Sequence, residues 1–373
     1  MIRKSSARWL LILFLLLPVF ALGEVLPGDL FYFGTFEQDY FEIDGKEPIL
    51  WQVLDVDPDE NKALVLSRYG LYTMKYHRNN KTRSWGETDV RDWLNGSFLA
   101  SFTGDELASI LPSQISDSTD LCFLLDSDQI TRYLSFPYLC YATPWALVHG
   151  EEGAYVNEDT LASSWLVRTD TASKRIAWVG GAGKLYSQTG EKGINYMTSK
   201  DNVVRPAMWI RLDAIGEKVT DPGFPLYAKT KMSIATRSGP TTGYNGVGSY
   251  FDGGGQLVRV LSRVHDGSIW WLQIEFEYNQ SIVRCYTGLK RIDIAIARVP
   301  DESSVTLGPG RVLQDDVAYY GPGTYYKKQV AKYTPAVGTT GQVLSEENGW
   351  VCFEYEEAKE KIRVWLPEEA VAF

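Results

Sequence analysis

The feature that most constrains this fold is an internal repeat in the C-terminal part of the chain. The segment Trp271-Leu-Gln-Ile-Glu-Phe276 returns 79 residues later as Trp350-Val-Cys-Phe-Glu-Tyr355, and Val283-Arg-Cys-Tyr286 returns at the same offset as Ile362-Arg-Val-Trp365. The tripeptide Val-Leu-Ser precedes each copy, at residues 260–262 and 343–345. Two tandem copies of one small β unit are the simplest explanation, because a solenoid needs more and shorter repeats.

Period two within the first copy separates two faces of a strand. It places Trp270, Leu272, Ile274 and Phe276 together as core and puts Trp271 on the polar face. By the repeat, Trp350 takes the same polar position. Such a Trp is either a lid over the end of a barrel or an exposed platform for a ligand. The other candidate ligand-binding aromatics are Tyr244 and Tyr250.

Each copy carries residues that resemble bacterial SH3-like domains. The first has Arg237-Ser-Gly-Pro240 followed by Tyr244, and the second has Asn348-Gly-Trp350 and a closing Val364-Trp-Leu-Pro367. The second copy lacks the Arg-Ser-Gly-Pro opening loop. The resemblance implies two small all-β SH3-like barrels, over residues 228–297 and 298–373.

The first two hundred residues have a mixed pattern. Strands are expected within residues 26–54 and 63–67 around a turn at Pro58-Asp-Glu-Asn61, then at 123–125, 165–168, 176–179 and 203–211. Helices are expected from Thr88 or Asp89 onward, at 104–111 and at 129–134. This pattern predicts an α+β domain over residues 24–222, with a linker near Asp221-Pro-Gly223.

This region resembles an uncharacterised bacterial family, the domain of unknown function 6273. The residues that carry the resemblance occur in the family's order: Trp51-Gln-Val-Leu54, Trp85, Asp89-Val-Arg-Asp-Trp-Leu-Asn-Gly96, Phe123-Leu-Leu125, Trp165-Leu-Val-Arg168 and Val204-Arg-Pro-Ala207. The family is distantly similar to the C-type-lectin-like group. The expected fold class is therefore an α+β N-terminal domain (loosely C-type-lectin-like) followed by two small all-β SH3-like barrels.

The N-terminus has the pattern of a secretory signal peptide over residues 1–23. Arg3, Lys4 and Arg8 precede an apolar run from Leu10 to Phe20, and Ala21-Leu-Gly23 supplies small residues for cleavage. The run is short for a membrane span, which favours a cleaved signal over a retained anchor. We expect a secreted or cell-surface-associated protein with no stable membrane span after cleavage.

The charge balance bears on the partner. A formal net charge of −10, without a cluster of Lys and Arg, argues against nucleic acid. Aromatic residues make up 13% of the chain. Small β domains and peptide- or carbohydrate-binding surfaces both use many aromatics, so composition does not choose between them.

Two arginines stand within apolar strands and are candidate ligand-binding residues. Arg168 and Arg205 would either face an anionic ligand or serve structure, through an ion pair with Asp89 or Asp92 or by stacking on Trp165. The run Asp126-Ser-Asp128 is interpreted as a helix N-cap and not as a calcium loop.

The cysteines and histidines give no pattern of a metal or catalytic site. Of the four cysteines, Cys122 and Cys140 form the only plausible local disulfide, while Cys285 and Cys352 read as buried apolar residues. Neither Cys140 with His149 nor Cys122 with His77 has the context of a nucleophile and its base. We predict no catalytic residue, no metal and no cofactor.

These observations favour a secreted, non-enzymatic binding or scaffold protein of the cell envelope. Its SH3-like pair would recognise a cell-wall peptide, a glycan or a surface protein. One alternative is a wall-modifying or other enzyme with its site in the N-terminal domain. Another is a purely structural surface protein, which predicts buried Trp271 and Trp350.

Overall fold

The structure is a computed structural model of the 373-residue chain. It describes residues 24–39, 41–148, 156–157, 159–187, 195–198, 202–223, 226–303, 306–315 and 318–373. The predicted signal peptide therefore lies outside the described residues. No helix within the described ranges is long and apolar enough to cross a membrane.

Fourteen short strands and four short helices form the N-terminal region, residues 24–223. Its strands are β1 Leu30–Phe36, β2 Glu47–Asp57, β3 Lys62–Ser67, β4 Tyr72–Thr73, β5 Ile110–Leu111, β6 Ser113–Ile115, β7 Ser118–Asp120, β8 Trp165–Leu166, β9 Arg175–Ile176, β10 Trp178–Val179, β11 Leu185–Tyr186, β12 Asn195–Tyr196, β13 Val203–Val204 and β14 Ala207–Arg211. Its helices are α1 Asp89–Trp93, α2 Gly104–Ser109, α3 Ser127–Tyr133 and α4 Pro144–Val148. A π-helical turn, Leu94–Phe98, extends α1.

Two five-stranded sheets enclose one hydrophobic core in this region. Their strand orders are β1-β2-β3-β14-β5 and β11-β10-β8-β13-β4. The expected strand at 203–211 is divided between them, because Pro206 offers no backbone N–H and ends the first half at β13. The expected β2–β3 hairpin forms, whereas residues 123–125 make only a bridge from Phe123 to Ala207.

Side-chain caps begin the helices at the expected places. The hydroxyl of Thr88 accepts a hydrogen bond from the Arg91 N–H at the start of α1. Asp126 accepts one from Gln129, so the interpretation of Asp126-Ser-Asp128 as an N-cap is confirmed. Helix α3 begins at Ser127, two residues earlier than expected.

The C-terminal part contains the two copies of the repeat. The first repeat, residues 226–299, contains β15 Leu226–Thr230, β16 Ile234–Arg237, β17 Gly246–Tyr250, β18 Leu257–His265, β19 Trp270–Glu277, β20 Ile282–Gly288 and β21 Ile292–Asp293. The second repeat, residues 306–373, contains β22 Gly308–Val312, β23 Thr340–Glu347, β24 Trp350–Glu357, β25 Glu360–Pro367 and β26 Val371–Ala372.

The two repeats share the order of five strands, and the first adds β16 and β17 at one edge of its sheet. The order β20-β19-β18-β15-β21 in the first matches β25-β24-β23-β22-β26 in the second. Each has a β-bulge between the Val and the Ser of the Val-Leu-Ser tripeptide. A bulge bends its strand and increases the local twist, which suits a curled sheet. The shared tripeptide therefore marks the same bend in both units.

The expected alternation in β19 is correct for three residues and wrong for Trp270. Leu272, Ile274 and Phe276 enter the core, but Trp270 is only half-buried, with the Arg263 guanidinium 4.9 Å from its ring centre. The opposite face is not exposed either. Glu275 is 1% exposed, because this face of the first repeat is covered by the second.

The second repeat also has an opening loop, which corrects the expectation that it lacks one. Gly321-Pro322 and Tyr326 follow Gly239-Pro240 and Tyr244 at a constant offset of 82 residues. In both loops a Cβ on the glycine would overlap the ring of that tyrosine, so the close approach requires glycine. The Arg-Ser pair differs, which hid the match.

Candidate functional site

The first opening loop, residues 238–245, reaches the second repeat. Tyr244 forms a parallel bridge with Lys361 of β25. The Asn245 N–H donates to the Lys361 carbonyl at 3.0 Å, and the Lys361 N–H donates to the carbonyl of Gly243 at 3.0 Å. Main-chain bonds thus fix this loop on the neighbouring unit.

The second opening loop, residues 320–327, makes the reciprocal contact. Tyr326 forms a parallel bridge with Ile282 of β20, which stands 79 residues before Lys361. The Ile282 N–H donates to the Tyr325 carbonyl at 3.1 Å, and the Lys327 N–H donates to the Ile282 carbonyl at 2.8 Å. The two repeats therefore exchange loops about a pseudo-two-fold axis.

Each exchanged tyrosine completes a buried cluster of three polar side chains. In the cluster on the first repeat, the Tyr326 hydroxyl and Arg284 Nε each donate to Glu275 Oε1 at 2.6 Å. Burial alone would raise the pKa of Glu275, but the guanidinium groups of Arg284 and Arg259 hold it below its usual value. The carboxylate is thus ionised and fully partnered.

The cluster on the second repeat has the same composition. The Tyr244 hydroxyl donates to Glu354 Oε2 at 2.6 Å, and Arg363 Nε donates to the same oxygen at 2.7 Å. Burial again opposes ionisation, yet the hydrogen bonds from Tyr244 and Arg363 lower the pKa of Glu354. Each guanidinium also packs over an aromatic ring of β25 or β20: Arg284 over Trp365 and Arg363 over Tyr286.

A cleft of about 390 Å³ lies between these two clusters. Both repeats contribute to its lining, which includes Pro240, Gln273, Tyr286, Leu344, Ser345 and Trp365. The guanidinium groups that border it already form ion pairs, since Arg284 pairs with Glu347 and Arg363 with Glu302. The cleft therefore offers aromatic and apolar surface with polar edges, without an unpaired arginine to bind an anion.

The predicted aromatic residues are more buried than a binding platform requires. Trp271 is 6% exposed and its indole N–H donates to Asp266 at 2.8 Å. Trp350 is half-buried with its ring 5.4 Å from that of Tyr319, and Tyr250 belongs to the core of the first repeat. Tyr244 serves the interface between the repeats.

The two predicted arginines lie apart, in structural contacts. Arg168 pairs with Asp126 and Asp170, and not with the suggested Asp89 or Asp92. Arg205 donates to the Ser67 carbonyl at 2.8 Å, and its guanidinium packs 5.3 Å from the Trp165 ring centre. These contacts match the structural alternative for each residue.

The cysteines are free and buried, so Cys122 and Cys140 are not bridged. Burial raises the pKa of both thiols. His77 Nδ1 lies 3.3 Å from an oxygen of Asp89, but neither of its buried ring nitrogens has a hydrogen-bond partner among the described residues, so His77 does not bond the Cys122 thiol. His149 lies outside the described residues.

A second cavity, of about 290 Å³, opens in the N-terminal region. The rings of Tyr72 and Trp93 stack beside it with centres 5.1 Å apart, and Arg78 and Asp89 complete its lining. The hydrogen bond from Arg78 lowers the pKa of Asp89, so this carboxylate is ionised.

Sequence reasoning missed one group of acidic side chains. Within the described residues, one oxygen from each of Glu37, Asp39 and Glu47 lies within 4.8 Å of the others, the arrangement of a metal-binding group. The spacing signal was available, since Glu37 and Asp39 directly follow β1 and Glu47 begins β2. The prediction of no metal site rested on the spacing of His and Cys alone, which does not include carboxylate ligands.

The family comparison agrees with the N-terminal assignment. The model of a family described as "Domain of unknown function (DUF6273)" matches residues 60–212, which confirms the resemblance for most of the N-terminal region. The segment Trp51-Gln-Val-Leu54 precedes the match. A search of the curated proteins found no match. The likeness of the repeats to SH3-like domains stays a prediction.

Proposed function

We propose that this protein is an exported, non-enzymatic binding or scaffold protein of the cell envelope. In this proposal the two repeats are SH3-like units that act as one module, and the cleft between them takes an extended segment of a cell-wall peptide or of a surface protein. The N-terminal domain serves as a second binding or scaffold module. The predicted signal peptide supports export.

The observation that carries the proposal is the shared cleft. Its lining comes from both repeats, and the exchanged loops fix their relative position through main-chain hydrogen bonds. A rigid, largely preformed cleft with aromatic walls and a few polar groups is typical of a ligand site. Because its arginines are paired, an uncharged or weakly charged segment suits it better than a phosphate.

The test is co-sedimentation of the purified protein with isolated bacterial cell wall. Ser345 is an exposed residue of β23 that lines the cleft, so Ser345→Trp would fill the cleft without removing an internal contact. Ser249→Trp is the matched control, on the exposed face of β17 and outside the cleft lining. We expect wild type and S249W to pellet with the wall. The fraction of S345W that pellets should be at least tenfold smaller.

The same samples distinguish the main alternative. Release of soluble wall fragments by the unmodified protein would favour an enzyme, and the cavity beside Tyr72, Trp93 and the His77–Asp89 pair is where its site would be sought. Equal pelleting of S345W and S249W would remove the cleft from the proposal. No pelleting of wild type would direct the search to a protein partner.

A further inference from the structure

The loop between β1 and β2, residues 37–47, joins the N-terminal region to the repeats. Phe41 near its tip is 1% exposed and packs against Ile282, Tyr319 and Tyr326. These residues belong to the exchanged-loop contact between the repeats. Phe41 thus contributes a contact between the N-terminal region and the repeat pair.

Three carboxylates stand where this loop leaves and rejoins its strands. Glu37 is only 9% exposed, and its Oε1 is buried without a hydrogen-bond partner among the described residues. Glu47 Oε2 accepts from the N–H groups of Gln38, at 2.6 Å, and Asp39, at 3.3 Å. Asp39 Oδ1 accepts from the Phe41 N–H at 2.6 Å. Backbone bonds thus orient two carboxylates, while the third presents a bare oxygen.

The neighbouring positive charge is too small to balance this group. Arg259 of β18 faces it, but its guanidinium also lies 3.6 Å from Glu275. None of the ion pairs between described residues includes Glu37, Asp39 or Glu47. Asp39, Glu47 and Arg259 line a cavity of about 140 Å³ together with Tyr227, whose buried hydroxyl has no hydrogen-bond partner in the described part of the chain.

The burial and close approach of these carboxylates raise their pKa values. Burial, reinforced by the neighbouring carboxylates, raises the pKa of Glu37 to about 8. The same causes raise the pKa of Asp39 to about 7.

We propose that Glu37, Asp39 and Glu47 bind a calcium ion that fixes the 37–47 loop and with it the contact between the N-terminal region and the repeats. Carboxylate oxygens alone favour a hard cation over zinc or copper. Ca²⁺ takes six to eight oxygen ligands in flexible geometry, at Ca–O distances of about 2.3–2.6 Å, so it tolerates an irregular set of carboxylates held by a loop. Mg²⁺, at about 2.1 Å, demands a tighter octahedron.

The experiment is isothermal titration of the purified protein, stripped with EDTA, with CaCl₂ and in parallel with MgCl₂. Glu37→Gln is the main variant, because Oε1 of Glu37 has no hydrogen-bond partner among the described residues that its replacement would remove. Glu42→Gln is the control, an exposed carboxylate of the same loop outside the group. We expect one Ca²⁺ per chain, at least tenfold weaker binding in E37Q, and unchanged binding in E42Q.

A second variant of the same group tests the assignment independently of Glu37. Asp39→Asn should weaken binding like E37Q, with both variants checked for folding by their melting curves in EDTA.

Three outcomes would overturn the proposal. The first is no Ca²⁺ binding by wild type up to about 10 mM, beyond the range of extracellular calcium modules. The second is equal affinity in E37Q and E42Q. The third is tighter binding of Mg²⁺ than of Ca²⁺, which would refute the calcium assignment. None of these results bears on wall binding by the cleft.

Discussion

The two internal interfaces of this molecule differ in how their buried carboxylates are paired. Between the repeats, each buried carboxylate receives a guanidinium and a tyrosine hydroxyl, as Glu275 does from Arg284 and Tyr326. Between the N-terminal region and the repeats, Phe41 packs closely, yet Glu37 and its two neighbours lack such partners. The first interface is complete from this chain alone, whereas the second depends on what the solution supplies.

A smaller contrast exists within the repeat interface. The two Glu–Arg–Tyr clusters have the same composition, but the Glu275 side chain is 1% exposed and that of Glu354 is 19% exposed. A buried charge that loses its partner costs far more than one that water can reach. The first cluster should therefore be the more sensitive to substitution.

The largest expected effect comes from removing one guanidinium. Arg284→Met leaves Glu275 buried without its main partner and should lower the free energy of unfolding by about 3–5 kcal/mol. Arg363→Met should cost less, about 1–2 kcal/mol, because Glu354 keeps Tyr244 and partial contact with water. Urea denaturation of both variants measures the difference.

The double variant Glu275→Gln with Arg284→Met is the control for this experiment. It removes the uncompensated charge and should recover part of the loss. A greater cost for Arg363→Met than for Arg284→Met would contradict the ranking of the two clusters by burial.

Next in size is the contact made by Phe41. Phe41→Ala should cost about 3 kcal/mol, the usual loss for a large buried aromatic side chain. Ile43→Ala is the matched control, since Ile43 is 40% exposed in the same loop. The loss should appear as earlier protease cleavage near residues 224–225, with the repeat pair still folded. Loss of structure in the repeats themselves would show that this contact is not separable.

The smallest expected effect is the response to pH, and its sign differs between the interfaces. The pKa values of Glu275 and Glu354 are lowered, so their contribution is present above the usual value near 4.5 and is lost as pH falls below it. The pKa values of Glu37 and Asp39 are raised to about 8 and about 7, so the stability gained while they are neutral is complete below their usual values of about 4 and is lost as pH rises from there to about 8.

Melting temperatures measured in EDTA from pH 3 to pH 9 check this prediction. We expect a maximum between about pH 4 and pH 5, where the lowered carboxyls are becoming ionised and the raised ones are still neutral, with a decline on both sides. E37Q should reduce the decline on the alkaline side. A curve that is flat from pH 6 to pH 9 would contradict the raised pKa values.

Local sequence signals predicted the fold correctly at positions where a residue type is typical of a single structural role. The N-cap at Asp126, the β2–β3 hairpin and the repeat of Val-Leu-Ser followed by a strand are examples. The N-terminal family resemblance was also available, since it rests on residues in a fixed order. The Gly-Pro of the second opening loop was missed because the Arg-Ser that precedes Gly-Pro in the first loop is absent from the second.

The candidate sites depend on long-range packing that period two cannot show. Glu275 and Trp271 lie on the polar face of β19, and a single barrel would expose both. The second repeat covers Glu275, so its burial follows from an interface and not from its own strand. The carboxylates at residues 37, 39 and 47 meet only because β1 and β2 form a hairpin that closes their loop.

The loop exchange also gives this half of the molecule the symmetry of a dimer. Contacts in which position i of one unit meets position j of the other, and the reverse, are the signature of an isologous homodimer. The repeat pair has that form within one chain, so each copy presents a surface that complements the other copy. Cutting the chain between residues 299 and 306 should therefore leave two repeats that remain associated. A single repeat expressed alone should form a homodimer.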